Sequence, residues 1–299
     1  MKNIKLALLG GDKRLAALAG YFSKNGIDVV CFGISEEYLP DEVNIVSYLK
    51  DAFKGVHAVI LPLPISGDGI RLSCPLMKKG DVPEICEILK LAKGLPVYGG
   101  RLSPQIRKLA DDMGVGITDY FDLEELKIRN SVLAAEGALS IAMNRLDVSI
   151  FGSKSAVMGY GRLGKTLAPM LKSLGSRVTV AARKSTDLAW AAAYGFETLK
   201  IGYTADKRST LAALCKGYDV VFNTAPHWLF DEAVLSDFST KTIIVDLASA
   251  PGGVDPVAAK KYGIEVIPAL SLPGKYAPVS AGELIGEYLL ELLGKDLNL

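Results

Sequence analysis

The sequence contains few of the residues that build disulfides and metal sites. Its 299 residues include four cysteines and two histidines, with no Cys-x-x-Cys pair and no Cys/His ligand spacing. Lysine and arginine total 34 against 33 acidic residues, without a basic run, which excludes an electrostatic nucleic-acid binder. The longest apolar stretches are strand-length, too short for a membrane span or a signal-peptide core. We therefore expect a soluble, cytoplasmic protein with reduced cysteines, no bound metal, and no nucleic-acid or membrane partner.

What the sequence does contain is a regular alternation of strand and helix patterns, over a length that suits two domains of about 150 residues. This alternation predicts an α/β fold with two Rossmann-like, doubly wound parallel-sheet domains joined by a long helix, at about 123–146. A turn-rich loop is predicted at 271–278, before a helix at 280–293. The expected boundaries are 1–125 for an N-terminal Rossmann-like or flavodoxin-like domain on the substrate side, 126–278 for a nucleotide-binding domain with the linking helix, and 279–299 for a C-terminal helix that returns to the first domain.

The most specific local signal is a strand that runs through Gly-x-Gly-x-x-Gly into a helix. The glycines are Gly159, Gly161 and Gly164, and helical spacing of apolar residues follows over 162–174. The first glycine permits a tight turn, the second lets the backbone approach a pyrophosphate, and the third lets the helix pack closely on the strand. The alternative is a purely structural strand-turn-helix. We predict that a dinucleotide contacts Gly159, Tyr160, Gly161, Arg162, Leu163 and Gly164.

The residues after the next strand bear on which dinucleotide is bound. NAD-selective sites place Asp or Glu about 20 residues past the glycines, where it accepts hydrogen bonds from the ribose. Here that position holds Ala182, followed by Arg183, Lys184 and Ser185. A guanidinium can pair with a 2′-phosphate through two hydrogen bonds, and Lys and Ser add a charge and a donor. The pattern favours NADP as the cofactor; alternatively, the two cations form only a solvated basic turn.

Polar groups also follow the fourth and fifth strands of the second predicted sheet. Ligands in this architecture bind at the carboxyl edge of the sheet, where both loops lie. Each loop could contact the nicotinamide end of the cofactor, or could merely cap its strand. The predicted cofactor site therefore also includes Asn223, Thr224, Ala225, Pro226, Asp246 and Ala248.

Candidates for contact with a substrate are fewer. The opening Gly10-Gly11-Asp12 follows a strand as a dinucleotide turn does but lacks the third glycine, which favours substrate as the occupant of the first domain. The candidate catalytic residues are His227, after the fourth-strand loop, and Lys275, before the last helix and at the expected junction of the two lobes. Each is alternatively a packing or surface residue. The predicted substrate-binding set is Asp12, Arg14, Glu136, Ser249 and Lys275.

A set of short motifs spans nearly the whole chain. It comprises Leu9-Gly10-Gly11-Asp12-Lys13-Arg14, Leu61-Pro62-Leu63-Pro64, Ala135-Glu136-Gly137-Ala138, Asn223-Thr224 and the segments 157–162, 246–253 and 272–278. On these residues the chain resembles the A-subunit family of bacterial dipicolinate synthase, whose layout is related to that of D-2-hydroxyacid dehydrogenases. The loop Pro226-His227-Trp228 departs from the family pattern.

The resemblance implies an NADP-dependent oxidoreductase that oxidises a dihydrodipicolinate-type precursor to dipicolinate (pyridine-2,6-dicarboxylate) in sporulation, on a branch of the lysine/diaminopimelate pathway. It also implies that the partner is a flavoprotein-like B subunit and that the location is the mother-cell cytoplasm; we further expect a homo-oligomer. Two alternatives remain open: an NADP-binding regulatory or scaffold subunit that is inactive without its partner, and another imine or 2-hydroxyacid dehydrogenase. D-2-hydroxyacid dehydrogenases place an Arg after the fifth strand, where this chain has Ser249-Ala250, which disfavours that chemistry.

Overall fold

The computed structural model describes residues 4–202, 211, 214, 217–249 and 252–297. The chain divides into two compact units. The first comprises Met1–Asn130 together with Ala277–Leu299, and the second comprises Ser131–Tyr276. The domain boundaries predicted from the sequence, 125/126 and 278/279, lie within a few residues of these divisions. Such offsets arise because one continuous helix crosses the first division, and its share in each unit depends on tertiary contacts that leave no local sequence signal.

The first unit is built on a six-stranded sheet whose strand pairs are all parallel. Its strands are β1 (Lys5–Leu9), β2 (Asp28–Phe32), β3 (Asn44–Ile45), β4 (Ala58–Ile60), β5 (Val97–Gly99) and β6 (Ile117–Asp119). They lie in the order β3-β2-β1-β4-β5-β6. The strand β3 has only two residues, too few to show an apolar pattern in the sequence.

The second unit repeats this plan with β7 (Lys154–Met158), β8 (Arg177–Ala182), β9 (Glu197–Lys200), β10 (Val220–Asn223), β11 (Ile243–Asp246) and β12 (Glu265–Pro268). Read from β9, the order β9-β8-β7-β10-β11-β12 is the same doubly wound order as in the first sheet. Side chains along β7 alternate between two cores: Val157 lies in one, and Ala156 and Met158 lie in the other. The sheet is therefore buried on both faces, and the predicted fold class is confirmed.

Helices connect the strands of both sheets. They are α1 (Lys13–Lys24), α2 (Ile85–Leu91), α3 (Pro104–Asp112), α4 (Glu124–Arg145), α5 (Arg162–Ser173), α6 (Ser185–Ala193), α7 (Glu232–Leu235), α8 (Pro256–Tyr262), α9 (Leu272–Tyr276) and α10 (Pro278–Asp296). The prediction of a loop over 271–278 was wrong, because α9 lies within it, and α10 begins at Pro278 instead of residue 280. Proline is tolerated in the first turn of a helix, where its missing N–H has no helical partner.

The last helix belongs to the first unit because α10 packs closely against α1. A Cβ at Gly282 would lie 2.8 Å from the Cβ of Ala17, and a Cβ at Gly286 would lie 3.1 Å from Leu18 Cδ1. Residues four apart share one face of a helix, so the two glycines together let the helix axes approach. The C-terminal helix therefore completes the fold of the N-terminal unit.

Candidate functional site

The turn between β7 and α5 has the geometry of a phosphate cradle. A Cβ at Gly159 would lie 2.6 Å from Thr224 Oγ1, and a Cβ at Gly164 would collide with the carbonyl oxygen of Gly159. These two glycines therefore allow the tight turn and the close helix contact. Gly161, in contrast, is exposed, and among the described residues no atom of a non-neighbouring residue lies within 4 Å of the position that a Cβ would take there. In the part of the chain that the structure describes, the space above Gly161 is open where a pyrophosphate would approach, and the N-cap residue of α5, Gly161, has no side chain to cap the helix.

The residues between these glycines differ in how deeply their side chains are buried. Tyr160 is 3% exposed, and its ring packs edge-on against Phe196 at 6.4 Å between centroids, with Lys165 Nζ 5.9 Å from the Tyr160 centroid. Burial raises the pKa of Tyr160, as expected for a phenol in an apolar setting. Tyr160 can therefore offer a cofactor only its main chain, whereas Arg162 is exposed and Leu163 is half-buried.

The carboxyl end of β8 carries the predicted selectivity residues. Ala182 is buried, and Arg183, Lys184 and Ser185 are all exposed as α6 begins. A further cation, not predicted from the sequence, lies beside them: Lys200 pairs in register with Ala182 across β8 and β9. Lys200 Nζ donates a hydrogen bond of 3.1 Å to Ser185 Oγ. The strand pairing thus brings a basic residue from a distant part of the sequence to this end of the sheet.

The loop after β10 is held to its neighbouring strands by two polar side chains. Thr224 donates from its backbone N–H and its hydroxyl to the carbonyl oxygen of Met158, at 2.9 and 2.8 Å. Asn223 is fully buried, and its amide donates to Asp246 Oδ1 at 2.8 Å. Asn223 Oδ1 accepts from the N–H of Ala225 at 3.3 Å. Both side chains therefore make their hydrogen bonds within the fold. In this structure Asn223 positions a loop and offers no exposed atom to a ligand. Pro226, farther along the loop, is exposed.

The loop after β11 is organised by the carboxylate of Asp246. Besides the Asn223 amide, it accepts hydrogen bonds from the N–H groups of Ala248 and Gly253, each at 3.2 Å. A Cβ at Gly253 would collide with the side-chain amide of Asn223, so only glycine fits there. Hydrogen bonds to a charged group contribute about 1.5–3 kcal/mol each. Asp246 therefore fixes the entry and exit of this loop, while Ser249 is exposed and Ala248 is buried.

The remaining candidates of the second unit lie at its surface. His227 is exposed, and its backbone N–H donates to the carbonyl oxygen of Ala225 at 2.8 Å. Glu136 on α4 and Lys275 on α9 are also exposed. Their helices are in contact, since a Cβ at Gly137 would lie 2.9 Å from the Cβ of Leu272. The structure thus places Glu136 and Lys275 on adjoining helices.

The first unit has a different arrangement at the equivalent turn, between β1 and α1. Arg14 is 7% exposed; its guanidinium pairs with the Asp12 carboxylate at 2.9 Å and also donates to the carbonyl oxygen of Leu63. Asp12 in turn caps α1 by accepting from the backbone N–H of Arg14 at 3.0 Å. The two predicted substrate residues are brought together, but they neutralise each other and hold the loop after β4.

The chain itself covers the β1 turn of the first unit. The N–H of Gly11 donates to the carbonyl oxygen of Ser73 at 2.7 Å, and a Cβ at Gly10 would lie 2.7 Å from the same oxygen. At the nearby end of β5, Arg101 adopts the left-handed conformation with φ 58°. Its N–H donates to Asp119 Oδ1 at 2.9 Å. This edge is therefore closed by main-chain contacts where the second unit has an open turn.

The described parts of the chain contain no cluster of His, Cys, Asp or Glu that could hold a metal ion. Within the same residues, every helix is too short or too polar to span a bilayer.

Comparison with known proteins agrees with this two-unit geometry. Residues 5–121 match the family described as the N-terminal domain of the dipicolinate synthase A subunit, and residues 156–263 match the saccharopine dehydrogenase NADP binding domain. The chain is 28% identical over 297 residues to the dipicolinate synthase A subunit of Bacillus subtilis (strain 168), covering 99% of this chain and 97% of the relative. The resemblance to the A subunit of dipicolinate synthase is confirmed.

Solved structures of dipicolinate synthase A subunits extend the similarity to the fold. The crystal structure from Bacillus halodurans has a TM-score of 0.86 at 27% identity, covering 97% of both chains. That from Bacillus subtilis has a TM-score of 0.83 at 28% identity, covering 99% of this chain and 97% of the other. The NADP-binding family match lies on the unit that holds the glycine turn, which supports an NADP-type nucleotide as the cofactor of that unit and an oxidoreductase as the class of protein.

Proposed function

We propose that this chain catalyses the NADP-dependent oxidation of a dihydrodipicolinate-type precursor to dipicolinate. The observation that carries the proposal is the open turn at Gly161 in a chain that is similar, from end to end, to the A subunit of dipicolinate synthase. The open turn supplies a place for a dinucleotide. The full-length similarity supplies the class of substrate.

The second unit would hold the nucleotide by its phosphates. The pyrophosphate would lie over Gly161 against the uncapped N-terminus of α5, whose N–H groups and dipole favour an anion. A 2′-phosphate would lie at the end of β8, where Arg183 and Lys184 are exposed cations and no carboxylate takes the position that NAD-selective sites use. This arrangement favours NADP over NAD.

The reaction removes two hydrogens from the substrate ring. Bound NADP+ would supply the acceptor for one of them, transferred as hydride, and a protein base would accept the other as a proton. The product is aromatic, so much of the driving force lies in the substrate, and the protein must mainly position the reactants. Asn223 and Asp246 would keep the two loops at the carboxyl ends of β10 and β11 in place for this.

The substrate carries two carboxylates, which call for cations and a base on the protein. We assign Lys275 as a carboxylate ligand and His227 as a candidate base, because both are exposed polar side chains in loops or short helices beyond the strand ends. Glu136 and Ser249, in the same unit, remain candidates for contact with substrate, and so do Asp12 and Arg14 in the first unit. Among these, Arg14 is the least available, since Asp12 already neutralises it.

The name of the relatives implies a second kind of subunit. We propose a dipicolinate synthase B subunit, flavoprotein-like, as the partner, self-association of this chain into a homo-oligomer, and the cytoplasm of the sporulating mother cell as the location. Of these three proposals, the name of the relatives supports only the B-subunit partner.

The test is a spectrophotometric assay of NADPH formation from dihydrodipicolinate, with the purified chain alone and with its B subunit. Activity of the chain alone supports the proposal directly. Activity only with the B subunit, while the chain alone binds NADP+, identifies it as a regulatory or scaffold subunit. No turnover of dihydrodipicolinate under either condition, with turnover of another imine or hydroxyacid in a substrate screen, would replace the proposed substrate.

A further inference from the structure

The end of β9 brings a lysine to the nucleotide-binding edge of the second unit. Lys200 is the last residue of β9, and it lies opposite Ala182, the last residue of β8. Both strands are parallel, so their carboxyl ends meet at the same edge of the sheet. Lys200 therefore shares the edge from which α6 and the selectivity residues emerge.

A hydrogen bond fixes the ammonium group of Lys200 in this place. Its Nζ donates to Ser185 Oγ at 3.1 Å, and Ser185 is the first residue of α6. Because the Ser185 oxygen accepts from the ammonium, its hydroxyl hydrogen is directed away from Lys200. That hydrogen can be donated to an acceptor oxygen beside the lysine.

Positive charge is concentrated at this edge. Arg183, Lys184 and Lys200 are exposed cations on two adjoining strand ends, and α6 begins there without a side-chain cap. Like charges on adjoining strand ends repel one another, and an anion bound beside them would offset that repulsion. A helix N-terminus adds N–H donors that point at the same anion.

We infer that Lys200 is a specificity-determining residue for the 2′-phosphate of NADP, acting together with the Ser185 hydroxyl that it orients. The inference rests on the proposed NADP-dependent function and deepens it. Arg183 and Lys184 come from the loop after β8, whereas Lys200 comes from the neighbouring strand. The phosphate would thus be held from two sides, which discriminates it from the ribose hydroxyl of NAD more sharply than a single cationic loop.

The test compares Lys200→Met with Lys260→Met in calorimetric titrations of the whole chain with NADP+ and NAD+. Methionine keeps an unbranched side chain and removes the charge, and Lys260 is an exposed lysine on α8 that serves as the matched control. We expect Lys200→Met to weaken NADP+ binding about tenfold, because a hydrogen bond to a charged group is lost. NAD+ binding should change less than about twofold, and Lys260→Met should change neither.

A second readout isolates the phosphate. The wild type should prefer adenosine 2′,5′-bisphosphate to adenosine 5′-monophosphate, Lys200→Met should lose most of that preference, and Lys200→Arg should retain it. Suppose that the wild type prefers NADP+. The role of Lys200 alone would then be overturned if Lys200→Met lost equal affinity for both nucleotides, or if its affinity for NADP+ were unchanged. A wild type that binds NADP+ no better than NAD+ would instead overturn the NADP-dependent function on which it rests.

Discussion

The two units have the same strand order but opposite geometries at the turn after their first strand. In the second unit, the turn at Gly161 opens to solvent. In the first unit, the N–H of Gly11 already donates to the carbonyl oxygen of Ser73, and the segment around Ser73 fills the space over the turn. Two copies of one topology can therefore differ at the turn after the first strand, because in one of them a later segment of the chain packs against that turn. Function lies in the site and is not given by the fold alone.

The largest expected effect comes from closing the open turn. Gly161→Val should weaken dinucleotide binding by about 100-fold or more, because the new side chain takes the space of the pyrophosphate. Gly161 has φ −81°, which valine adopts without strain, so the melting temperature should stay close to wild type. The affinity is measured by calorimetric titration, and the melting temperature is measured by circular dichroism.

The matched control for this variant is Gly116→Val in the first unit. Gly116 is also exposed, with no atom within 4 Å of its Cβ position, so the substitution adds the same side chain away from the nucleotide. Near-normal NADP+ affinity in folded Gly161→Val would show that the nucleotide lies elsewhere.

A substitution at the corresponding turn of the first unit should lower the stability of the fold without changing the affinity for the cofactor. Gly11 has φ 97°, and its Cβ would lie 2.6 Å from that of Leu15. Backbone strain and overpacking together should make Gly11→Ala less stable by about 2–4 kcal/mol in denaturant unfolding. Gly26 is also at positive φ, but nothing described lies within 4 Å of its Cβ position. Gly26→Ala should therefore be destabilised by backbone strain alone, without overpacking.

The contrast between the units predicts that NADP+ affinity is unchanged in Gly11→Ala, measured below its melting temperature. A drop in affinity as large as that of Gly161→Val would mean that both turns contribute to nucleotide binding.

Charge reversal at the end of β8 sharpens the assignment of the cofactor. Arg183→Asp should cost about 1.5–3 kcal/mol in NADP+ binding and much less in NAD+ binding, because a phosphate partner becomes a repelling carboxylate. Arg177→Asp is the control, since Arg177 is the first residue of β8 and lies at the end of that strand opposite to Arg183. Equal losses for the two dinucleotides in a titration would remove Arg183 from the 2′-phosphate site.

The smallest expected effect concerns backbone strain in the first unit. Arg101 has φ 58°, a conformation that glycine adopts at little cost. Arg101→Gly should therefore stabilise the chain by about 1 kcal/mol, seen as a higher denaturant midpoint. A lower midpoint would show that the Arg101 side chain contributes more to the fold than its backbone conformation costs.

Much of the fold was predictable because its signals are local. The buried strand before Gly159, the helix after it and the strand that ends at Ala182 each have an apolar pattern of their own period. The loop predicted at 271–278 was wrong for a related reason: its prolines and glycine favour turns locally, but Leu272 and Pro273 are buried, and this packing stabilises a short helix.

The candidate site was only partly predictable, because several of its contacts join residues far apart in the sequence. Lys200 reaches Ser185 through the pairing of β8 with β9, and no pattern around Lys200 marks it. Asn223 was predicted as a cofactor contact from its place after a strand. Its complete burial and its hydrogen bond to Asp246 depend on the register of two strands.

The sequence by itself determined the α/β class, the glycine turn at Gly159, Gly161 and Gly164, and the basic residues after β8, because each depends on neighbours within a few positions. Only the tertiary structure decided which of the two equivalent turns is open. The Gly10-Gly11 turn is closed by Ser73, some sixty residues later, and it is closed through main-chain atoms that every residue type carries. Contacts made by the backbone leave no mark in the order of side chains. The missing third glycine after Gly10-Gly11 therefore indicated a different occupant for the first unit, but not the contact with Ser73 that closes its turn.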